Sequence, residues 1–388
     1  MDLSYIINQL GEEREKYFNA VAPPVIQTSN FAFDTVEKLR HGISDEFEST
    51  LYSRGNNPTL DILRKKIAAL DGSEDALVFS SGVSAVSIPV IANVEQGDHI
   101  ICVNKPYSWT HKLFNDLLPR FGITTTMIDG TRIENFESAL GGQPNTKIIF
   151  LESPNTFTFE LQDIEAVAKL AKSKNILTMI DNSYCSPLYQ QPIKMGIDLC
   201  MQTATKYIGG HSDTVAGVVS GSKEMIKKIY AADFLNIGAV ISPFSAWLLL
   251  RSLRTFELRV ERSSESAQKI VSHFENHPKI KKMFYPFSKS FSQNDLAKKQ
   301  MKKPGGLFSV ALKTNSIQKI EDFCNSLKRF LMAVSWGGHE SLVFPVCASI
   351  KKDSYNPDNL EHNLVRFYIG LEDADVLIED IEKGLQKL

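Results

Sequence analysis

Short apolar runs alternate with amphipathic stretches through the middle of the chain. Five runs are typical of buried strands: residues 76–79, 99–103, 148–151, 176–180 and 199–201. Between the third and fourth runs, residues 164–172 have apolar side chains at helical spacing, and the preceding Asp163 is a common capping residue. Strands that alternate with helices predict an α/β domain with a mostly parallel sheet, which we place at residues 58–243.

The pattern changes on either side of this domain. After residue 243, a long helical stretch from 246 to about 272 precedes two apolar strand candidates, residues 306–312 and 365–369. Strands and helices without strict alternation predict a smaller α+β domain at residues 244–388. Residues 1–57 contain few periodic apolar stretches, so we expect an N-terminal arm that contacts a neighbouring subunit.

Size and charge narrow the class of protein. A chain of 388 residues exceeds the roughly 250–300 residues at which a single core usually divides, which agrees with two domains. The 43 basic and 45 acidic residues give a net charge of -2 without blocks of one sign. This balance argues against a nucleic-acid or anionic-membrane partner and favours a small-molecule substrate.

Neither cysteine spacing nor the N-terminus indicates a secreted or membrane protein. The five cysteines are scattered without paired spacing, so we expect no disulfides and no structural metal site. The first residues have neither a basic region nor an apolar core, and no apolar segment approaches the ~18 residues that span a bilayer. We therefore expect a cytoplasmic protein.

Two charged residues follow the last two apolar runs of the α/β domain. Asp181 ends the run 176–180, and Lys206 follows the run 199–201. Ligands of open α/β sheets collect at the carboxyl ends of strands. A carboxylate that keeps a pyridine nitrogen protonated and a lysine that forms a Schiff base with an aldehyde are the two groups that pyridoxal 5'-phosphate (PLP) requires. We predict a PLP site; a turn cap at Asp181 and a solvated Lys206 are the alternative.

Three further features fit such a site. Ser81-Gly82-Val83 follows the first run and begins a helix, which directs backbone N–H groups at a phosphate, although a simple helix cap has the same pattern. Tyr107 follows the second run, where a phenol can stack on a ring and transfer protons, or bridge core and solvent. Arg366 lies in an apolar strand and needs a carboxylate, either of the substrate or of an internal ion pair.

Six segments in order carry a family resemblance. They are Tyr-Ser-Arg-Gly-Asn-Asn-Pro-Thr at 52–59, Ser-Ser-Gly at 80–82, Asp-Asn-Ser at 181–183, Thr-Lys-Tyr-Ile-Gly-Gly-His-Ser-Asp at 205–213, Ser-Pro-Phe at 242–244 and Ser-Trp-Gly-Gly-His-Glu-Ser at 335–341. Over nearly its whole length the chain resembles the PLP-dependent transsulfuration family of cysteine and methionine metabolism. The resemblance implies fold type I, with a seven-stranded, mostly parallel sheet in the large domain.

The resemblance also assigns roles to residues of this chain. It implies that Lys206 is the Schiff-base lysine and a catalytic base, that Asp181 is the partner of the pyridine nitrogen, and that Tyr107 stacks on the ring and takes part in catalysis. The other implied cofactor contacts are Ser81, Gly82, Val83, Thr203 and Thr205, with Tyr52 and Arg54 completing the site of a neighbouring subunit. The implied substrate contacts are Ser335, Trp336, Arg366, Tyr107 and Asn155. Members of the family form homotetramers of dimers that share active sites.

The segments do not all favour one branch of the family. Residues 334–338, 152–160 and 201–205 resemble cystathionine β-lyases, which convert L-cystathionine to homocysteine, pyruvate and ammonia. Residues 52–59 and 242–247 resemble the γ-synthases and γ-lyases, and Thr156 replaces an asparagine usual in the family. We expect a cystathionine β-lyase; cystathionine γ-synthase, cystathionine γ-lyase, methionine γ-lyase, an aminotransferase and a non-catalytic PLP-binding protein are the alternatives.

Overall fold

The computed structural model describes all 388 residues, which form two compact units. The first unit contains Met1–Glu152, Gln162–Gly209 and Asp213–Thr255, and the second contains Ser153–Leu161, Gly210–Ser212 and Phe256–Leu388. The sequence had placed the second division at residue 243. It lies after Thr255 because the helix Pro243–Leu253 packs against the helix Pro58–Asp71 of the first unit.

A seven-stranded sheet lies at the centre of the first unit. Its strands run in the order β1-β7-β6-β5-β4-β2-β3, and β7 alone is antiparallel to its neighbours. The predicted α/β class with a mostly parallel seven-stranded sheet is therefore confirmed. The strands are β1 (Asp75–Phe79), β2 (His99–Val103), β3 (Thr124–Ile128), β4 (Thr146–Glu152), β5 (Leu177–Asp181), β6 (Leu199–Gln202) and β7 (Gly217–Gly221).

Helices connect and cover these strands. The predicted crossover helix is present as α7, and the side chain of Asp163 accepts a hydrogen bond from the backbone N–H of Ala166, as expected for a cap. The helices of the first unit are α1 (Leu3–Asn8), α2 (Val36–Ser44), α3 (Pro58–Asp71), α4 (Gly82–Ile91), α5 (Ser108–Lys112), α6 (Ile133–Gly142), α7 (Ile164–Ser173), α8 (Ser186–Tyr189), α9 (Lys223–Ile229), α10 (Leu235–Ile237) and α11 (Pro243–Leu253).

Alternate strand residues face two separate cores, one on each side of the sheet. Ile100, Phe150 and Met179 contribute to one core, whereas Ile101, Ile149 and Ile180 contribute to the other. All six are fully buried. Because both faces of a parallel sheet are covered, its strands are apolar throughout rather than alternating, which is why they were visible in the sequence.

The second unit contains a five-stranded sheet in the order β10-β11-β12-β9-β8. The predicted helical stretch from 246 to about 272 is present as two helices, α11 and α12, which are separated by Arg254 and Thr255. None of the helices in either unit is long and apolar enough to cross a membrane. The elements are α12 (Phe256–Phe274), β8 (Ile280–Phe284), α13 (Asn294–Gln300), β9 (Leu307–Leu312), α14 (Ile317–Ser326), β10 (Leu331–Met332), β11 (Leu342–Pro345), β12 (Leu364–Tyr368) and α15 (Ala374–Leu385).

The N-terminal 57 residues divide into a docked part and an exposed part. In α1, Ile6 and Ile7 are buried, and their carbonyl oxygens accept hydrogen bonds from Nζ of Lys66 in α3, so this helix belongs to the first unit of its own chain. Beyond α1, Phe18 and Val36 are exposed. Contact between this arm and a neighbouring subunit stays a prediction.

Candidate active site

The predicted catalytic pair lies at one end of the seven-stranded sheet. Asp181 is the last residue of β5, and Lys206 lies in the connection that follows the neighbouring strand β6. The positive charge of Lys206 acts on the Asp181 carboxyl. The structure thus brings together the carboxylate and the amine that the sequence predicted.

Opposing effects set the pKa of Asp181. Burial raises the pKa, whereas hydrogen bonds from the Ser183 hydroxyl and backbone N–H, and the charge of Lys206, lower it; the net result is a raised pKa. The Ser183 N–H lies 2.9 Å from Oδ1. A buried carboxyl that is held by hydrogen bonds beside a lysine amine suits the ring nitrogen and the aldehyde of PLP, so this pair fits the cofactor.

The start of α4 offers a place for the phosphate. The Ser81 hydroxyl caps the helix by accepting from the N–H of Ser84, while the N–H groups of Gly82 and Val83 belong to the first turn, which lacks intrahelical acceptors. A Cβ atom on Gly82 would lie 2.6 Å from Oγ1 of Thr203. Only glycine permits this close approach, which places Ser81, Gly82 and Val83 beside Thr203.

Thr203 and Thr205 differ in how their side chains are engaged. The Thr205 hydroxyl donates to the carbonyl oxygen of Ala216 at 3.1 Å and accepts from the Ala216 N–H at 3.0 Å. Oγ1 of Thr203 lies 3.5 Å from the same carbonyl, close to the limit of a hydrogen bond. Thr203 is thus the better placed phosphate donor. A phosphate contact of Thr205 stays a prediction, and it requires the Thr205 hydroxyl to give up its hydrogen bond to the carbonyl oxygen of Ala216.

Tyr107 is held through its backbone. It immediately precedes α5, and its N–H donates to Oε2 of Glu152, the last residue of β4, at 2.6 Å. Its side chain is 43% exposed. A ring that is fixed at its base and open to solvent is suited to stacking on a bound ligand, which is the role predicted for it.

Tyr52 and Arg54 form an exposed pair before α3. The Arg54 guanidinium lies 5.4 Å from the centre of the Tyr52 ring, within cation–π range. Both side chains are accessible to solvent. Their exposure suits contacts outside their own chain; the predicted contribution to a neighbouring subunit's site stays a prediction.

The predicted substrate-binding residues belong to the second unit. Arg366 in β12 is buried, and its Nη2 donates to the carbonyl oxygen of Ser335 at 3.2 Å. Its guanidinium carbon lies 5.0 and 5.4 Å from the ring centres of Phe157 and Phe344, which contact each other with their centres 5.9 Å apart. Ser335 adopts a left-handed backbone with φ of 78°. The structure therefore brings Arg366 and Ser335 together and places the guanidinium against two rings that the sequence did not indicate.

The other two predicted substrate contacts have partners within the second unit. The side chain of Asn155 donates to Oε2 of Glu160 at 2.8 Å and accepts from the Glu160 N–H at 3.1 Å, so its amide stabilises its own loop. The Trp336 ring centre lies 6.5 Å from that of Tyr368. Substrate contacts of Asn155 and Trp336 stay predictions.

Two residues that support the site were quoted within sequence segments but were assigned no role from the sequence. Ser183 holds Asp181, and Glu152 holds the backbone of Tyr107. Both follow or end strands of the parallel sheet, at the carboxyl edge where ligands bind, and this position was the signal that could have identified them.

Comparison with known proteins agrees with this site. Residues 5–386 match the family described as Cys/Met metabolism PLP-dependent enzymes. An L-methionine gamma-lyase from Treponema denticola is 36% identical over 386 residues, covering 97% of this chain and 95% of the relative. A cystathionine beta-lyase from Lactococcus lactis subsp. cremoris is 35% identical over 384 residues, covering 97% of each chain.

A solved structure gives the same result for the fold. The crystal structure of metB from Corynebacterium glutamicum matches with a TM-score of 0.91 and 32% identity, covering 100% of this chain and 98% of the other. The expected transsulfuration family, its fold and its cofactor are confirmed. The chain belongs to the family of Cys/Met metabolism PLP-dependent enzymes, and it is a PLP-dependent lyase.

Proposed function

We propose that this lyase cleaves a carbon–sulfur bond of a small sulfur-containing amino acid, with Lys206 as the base. The observation that carries the proposal is the placement of Asp181 and Lys206 at the ends of adjacent strands, with the lysine charge acting on the buried carboxyl. The carboxyl suits the ring nitrogen of PLP, and the lysine amine suits its aldehyde. The names of related lyases supply the class of substrate.

The chain's own residues divide the chemistry between them. Bound PLP supplies a pyridine ring that takes up the electron pair left at the substrate α carbon. Lys206, once its amine is released by the incoming substrate, removes the α proton. Asp181, whose carboxyl is held by the Ser183 N–H, would hold the ring nitrogen of the cofactor, where its carboxylate would stabilise the positive charge needed in the transition state. Tyr107 accepts a proton from the substrate amine.

The substrate carboxylate is assigned to the second unit. A planar guanidinium binds a carboxylate through two parallel hydrogen bonds. Arg366 is supported by the rings of Phe157 and Phe344 and by the carbonyl oxygen of Ser335, so its orientation is set before any substrate arrives. Pre-orientation lowers the entropic cost of binding and favours one pose of the α carbon.

Within this class, we propose β-elimination of L-cystathionine to homocysteine, pyruvate and ammonia. The Ser335-Trp336-Gly337-Gly338 segment resembles that branch, and the preceding Val334 is apolar where cystathionine γ-lyases tend to have glutamate. The similarity to the cystathionine beta-lyase from L. lactis supports this choice.

A second candidate is γ-elimination, with L-methionine as substrate. Several relatives at 34–36% identity, including the one from T. denticola, carry the name L-methionine gamma-lyase. The segments 52–59 and 242–247 also resemble the γ-acting branch. γ-Elimination needs a second proton removal at the β carbon, and Lys206 can serve for both.

The products separate these candidates. The PLP-loaded protein is incubated with L-cystathionine or L-methionine in separate reactions, and the keto acid and the thiol are identified by mass spectrometry. Pyruvate with homocysteine supports the proposed β-lyase, whereas 2-oxobutyrate with cysteine or methanethiol assigns γ-elimination. Lys206→Ala is the control and should release neither keto acid. Conversion of PLP to pyridoxamine phosphate without a thiol product would instead show an aminotransferase and overturn the proposal.

The assembly and location are proposed on separate grounds. A homotetramer of dimers that share active sites fits the exposed Tyr52–Arg54 pair and the apolar side chains exposed beyond α1. Light scattering of the PLP-loaded protein tests this assembly, and a monomer would contradict it. We also propose a cytoplasmic location, as expected from the sequence.

A further inference from the structure

Residues 203–216 connect β6 to β7 and carry Lys206; we call them the Lys206 connection. A buried carboxyl, that of Asp71, contacts both strands that this connection joins. Asp71 is the last residue of α3 and is fully excluded from solvent. Oδ1 of Asp71 accepts from Nε2 of Gln202, and Oδ2 accepts from the Ser220 hydroxyl, each at 2.7 Å. The chemistry proposed above does not use this group, and its two hydrogen bonds offset the cost of its burial.

The two partners of Asp71 belong to the strands that flank the Lys206 connection. Gln202 ends β6, and Ser220 lies in β7, which is antiparallel to β6. In the register of this pair, Ser220 is opposite Cys200, two residues before Gln202, so both side chains project from one face of the sheet. Asp71 therefore cross-links the strand that leads into the connection to the strand that leaves it.

Gln202 is linked directly to the cofactor residues. The next residue, Thr203, donates its backbone N–H to the Ser183 hydroxyl at 2.7 Å, and Ser183 in turn holds Asp181. The two ends of the connection are joined by a hydrogen bond from the N–H of Thr205 to the carbonyl oxygen of Ala216. A shift of Gln202 would thus be transmitted to Thr203 and to the start of the segment that carries Lys206.

We propose that Asp71 is a positioning residue for the cofactor lysine, which holds the two strands that flank the Lys206 connection in a fixed relationship through Gln202 and Ser220. The proposal rests on the assignment of Lys206 as the lysine that binds PLP. It makes the end of α3 part of the cofactor site, although Asp71 touches neither cofactor nor substrate.

The carboxyl can keep both contacts in either protonation state. Burial raises the pKa of Asp71, and the hydrogen bonds from Ser220 and Gln202 lower it; the net value is about 7. The protonated carboxyl can donate to the Ser220 oxygen while Ser220 turns its proton toward the carbonyl oxygen of Cys200, 3.4 Å away. An asparagine can accept from Gln202 through its amide oxygen and donate to the Ser220 oxygen through its amide nitrogen, so Asp71→Asn should preserve the cross-link.

The test measures PLP affinity, which does not depend on which substrate is cleaved. Apo-protein is titrated with PLP, and the dissociation constant is read from the visible absorbance of the lysine-bound cofactor. Asp71→Ala should weaken PLP binding about tenfold, because two hydrogen bonds to a buried carboxyl are lost, and Asp71→Asn should remain within about twofold of the parent. Lys206→Ala should lose this absorbance; if it does not, the assignment of the lysine fails and the role of Asp71 with it. If Lys206→Ala loses the absorbance but Asp71→Ala binds PLP like the parent, only the role of Asp71 is overturned.

A matched control lies at the other end of the same strand. Oδ2 of Asp198, immediately before β6, accepts from the N–H and the hydroxyl of Thr178 at 2.8 and 2.7 Å, so Asp198→Ala also removes a carboxyl that joins two strands. It should lower thermal stability without changing PLP affinity more than about twofold. An equal loss of affinity in Asp71→Ala and Asp198→Ala, or none in Asp71→Ala, would overturn the proposal. If Asp71→Ala does not fold, Ser220→Ala decides: a two- to threefold loss supports positioning, and unchanged affinity refutes it.

Discussion

Nζ of Lys66 lies 3.0 Å from Oε1 of Glu12, and both side chains are completely buried. The same carboxylate also pairs with Arg14 and Arg254, so one anion serves three cations where the N-terminal segment meets α3 and α11. Burial lowers the pKa of Lys66, and its hydrogen bond and charge interaction with Glu12 oppose that shift. Glu12 is thus the carboxylate that pairs with all three cations where the N-terminal segment is attached to its own chain.

Removal of this carboxylate should strongly destabilise the protein. Glu12→Ala leaves Lys66 as a buried cation without its carboxylate, and we expect a loss of about 3–5 kcal/mol in the free energy of unfolding by urea. Lys65→Met is the control, since its ion pair with Asp61 is exposed and should contribute less than about 1 kcal/mol. Equal effects of the two substitutions would contradict this reading of the network.

Asp71 should make stability depend on pH. Its pKa is about 7 in the folded protein against an ordinary value of 3.8, so between these values the folded state binds more protons and stability falls as pH rises. Asp71→Asn removes this titration. The stability of the variant relative to the parent should therefore increase from pH 5 to pH 8, by at most about 3 kcal/mol, in urea unfolding. A difference that is constant with pH would argue against a buried acid that titrates here.

Ser183 should control the ionisation of Asp181. Its hydroxyl lowers the pKa of the Asp181 carboxyl, which burial raises, so Ser183→Ala should raise that pKa further. The acidic limb of the pH profile of kcat/KM should move to higher pH. Ser183→Thr keeps a hydroxyl at this position and should restore the parent profile; a profile unchanged in Ser183→Ala would exclude this role.

Gly210 should not accept a side chain. A Cβ atom there would lie 1.5 Å from Nη1 of the buried Arg259, and the residue has φ of +63°. We expect Gly210→Ala to give little folded protein in a measurement of soluble yield and melting temperature. Gly141→Ala is the control, because a Cβ in that position of α6 meets nothing within 4 Å and should be neutral or stabilising by about 0.5–1 kcal/mol. Normal folding of Gly210→Ala would contradict the close packing.

Mixing of two defective variants tests whether subunits share active sites. If Arg54 serves the partner's phosphate site, Arg54→Ala and Lys206→Ala inactivate different parts of each shared site. Unfolding and refolding them together should recover up to about a quarter of the parent activity, because one site of a mixed dimer keeps both residues. Lys206→Ala mixed with Asp181→Ala, two residues of the same unit, is the control and should give no recovery. No recovery in the first mixture would place Arg54 in its own chain's site.

The sequence predicted the strands that carry the site because they are buried on both faces. β2 was placed at residues 99–103 and is present at His99–Val103, and β5 differs by one residue. β3 was missed, since Thr124, Thr125 and Thr126 are polar and partly exposed on an edge strand. β7 was missed as well, because a short run between two glycines gives no clear period.

Side-chain partners were harder to predict than strands. Asp181 and Lys206 could be found because a strand end predicts where a ligand binds, and one cofactor needs both residue types. Asp71 could not, since its partners Gln202 and Ser220 are 131 and 149 positions away and become neighbours only through the sheet order. The same holds for Arg366, because the two rings that its guanidinium contacts come from two other segments.

The pairing of β1 with β7 determines when the cofactor site can form during synthesis. Asp75 is opposite Gly221 and Phe79 is opposite Gly217, so the strand that precedes the Ser81–Gly82 turn has its sheet neighbour about 140 residues later in the chain. Such non-local pairing is slow to form, and it must wait until β7 has left the ribosome. Cofactor loading is therefore a late event, and a chain that stops before residue 217 should be unable to retain PLP.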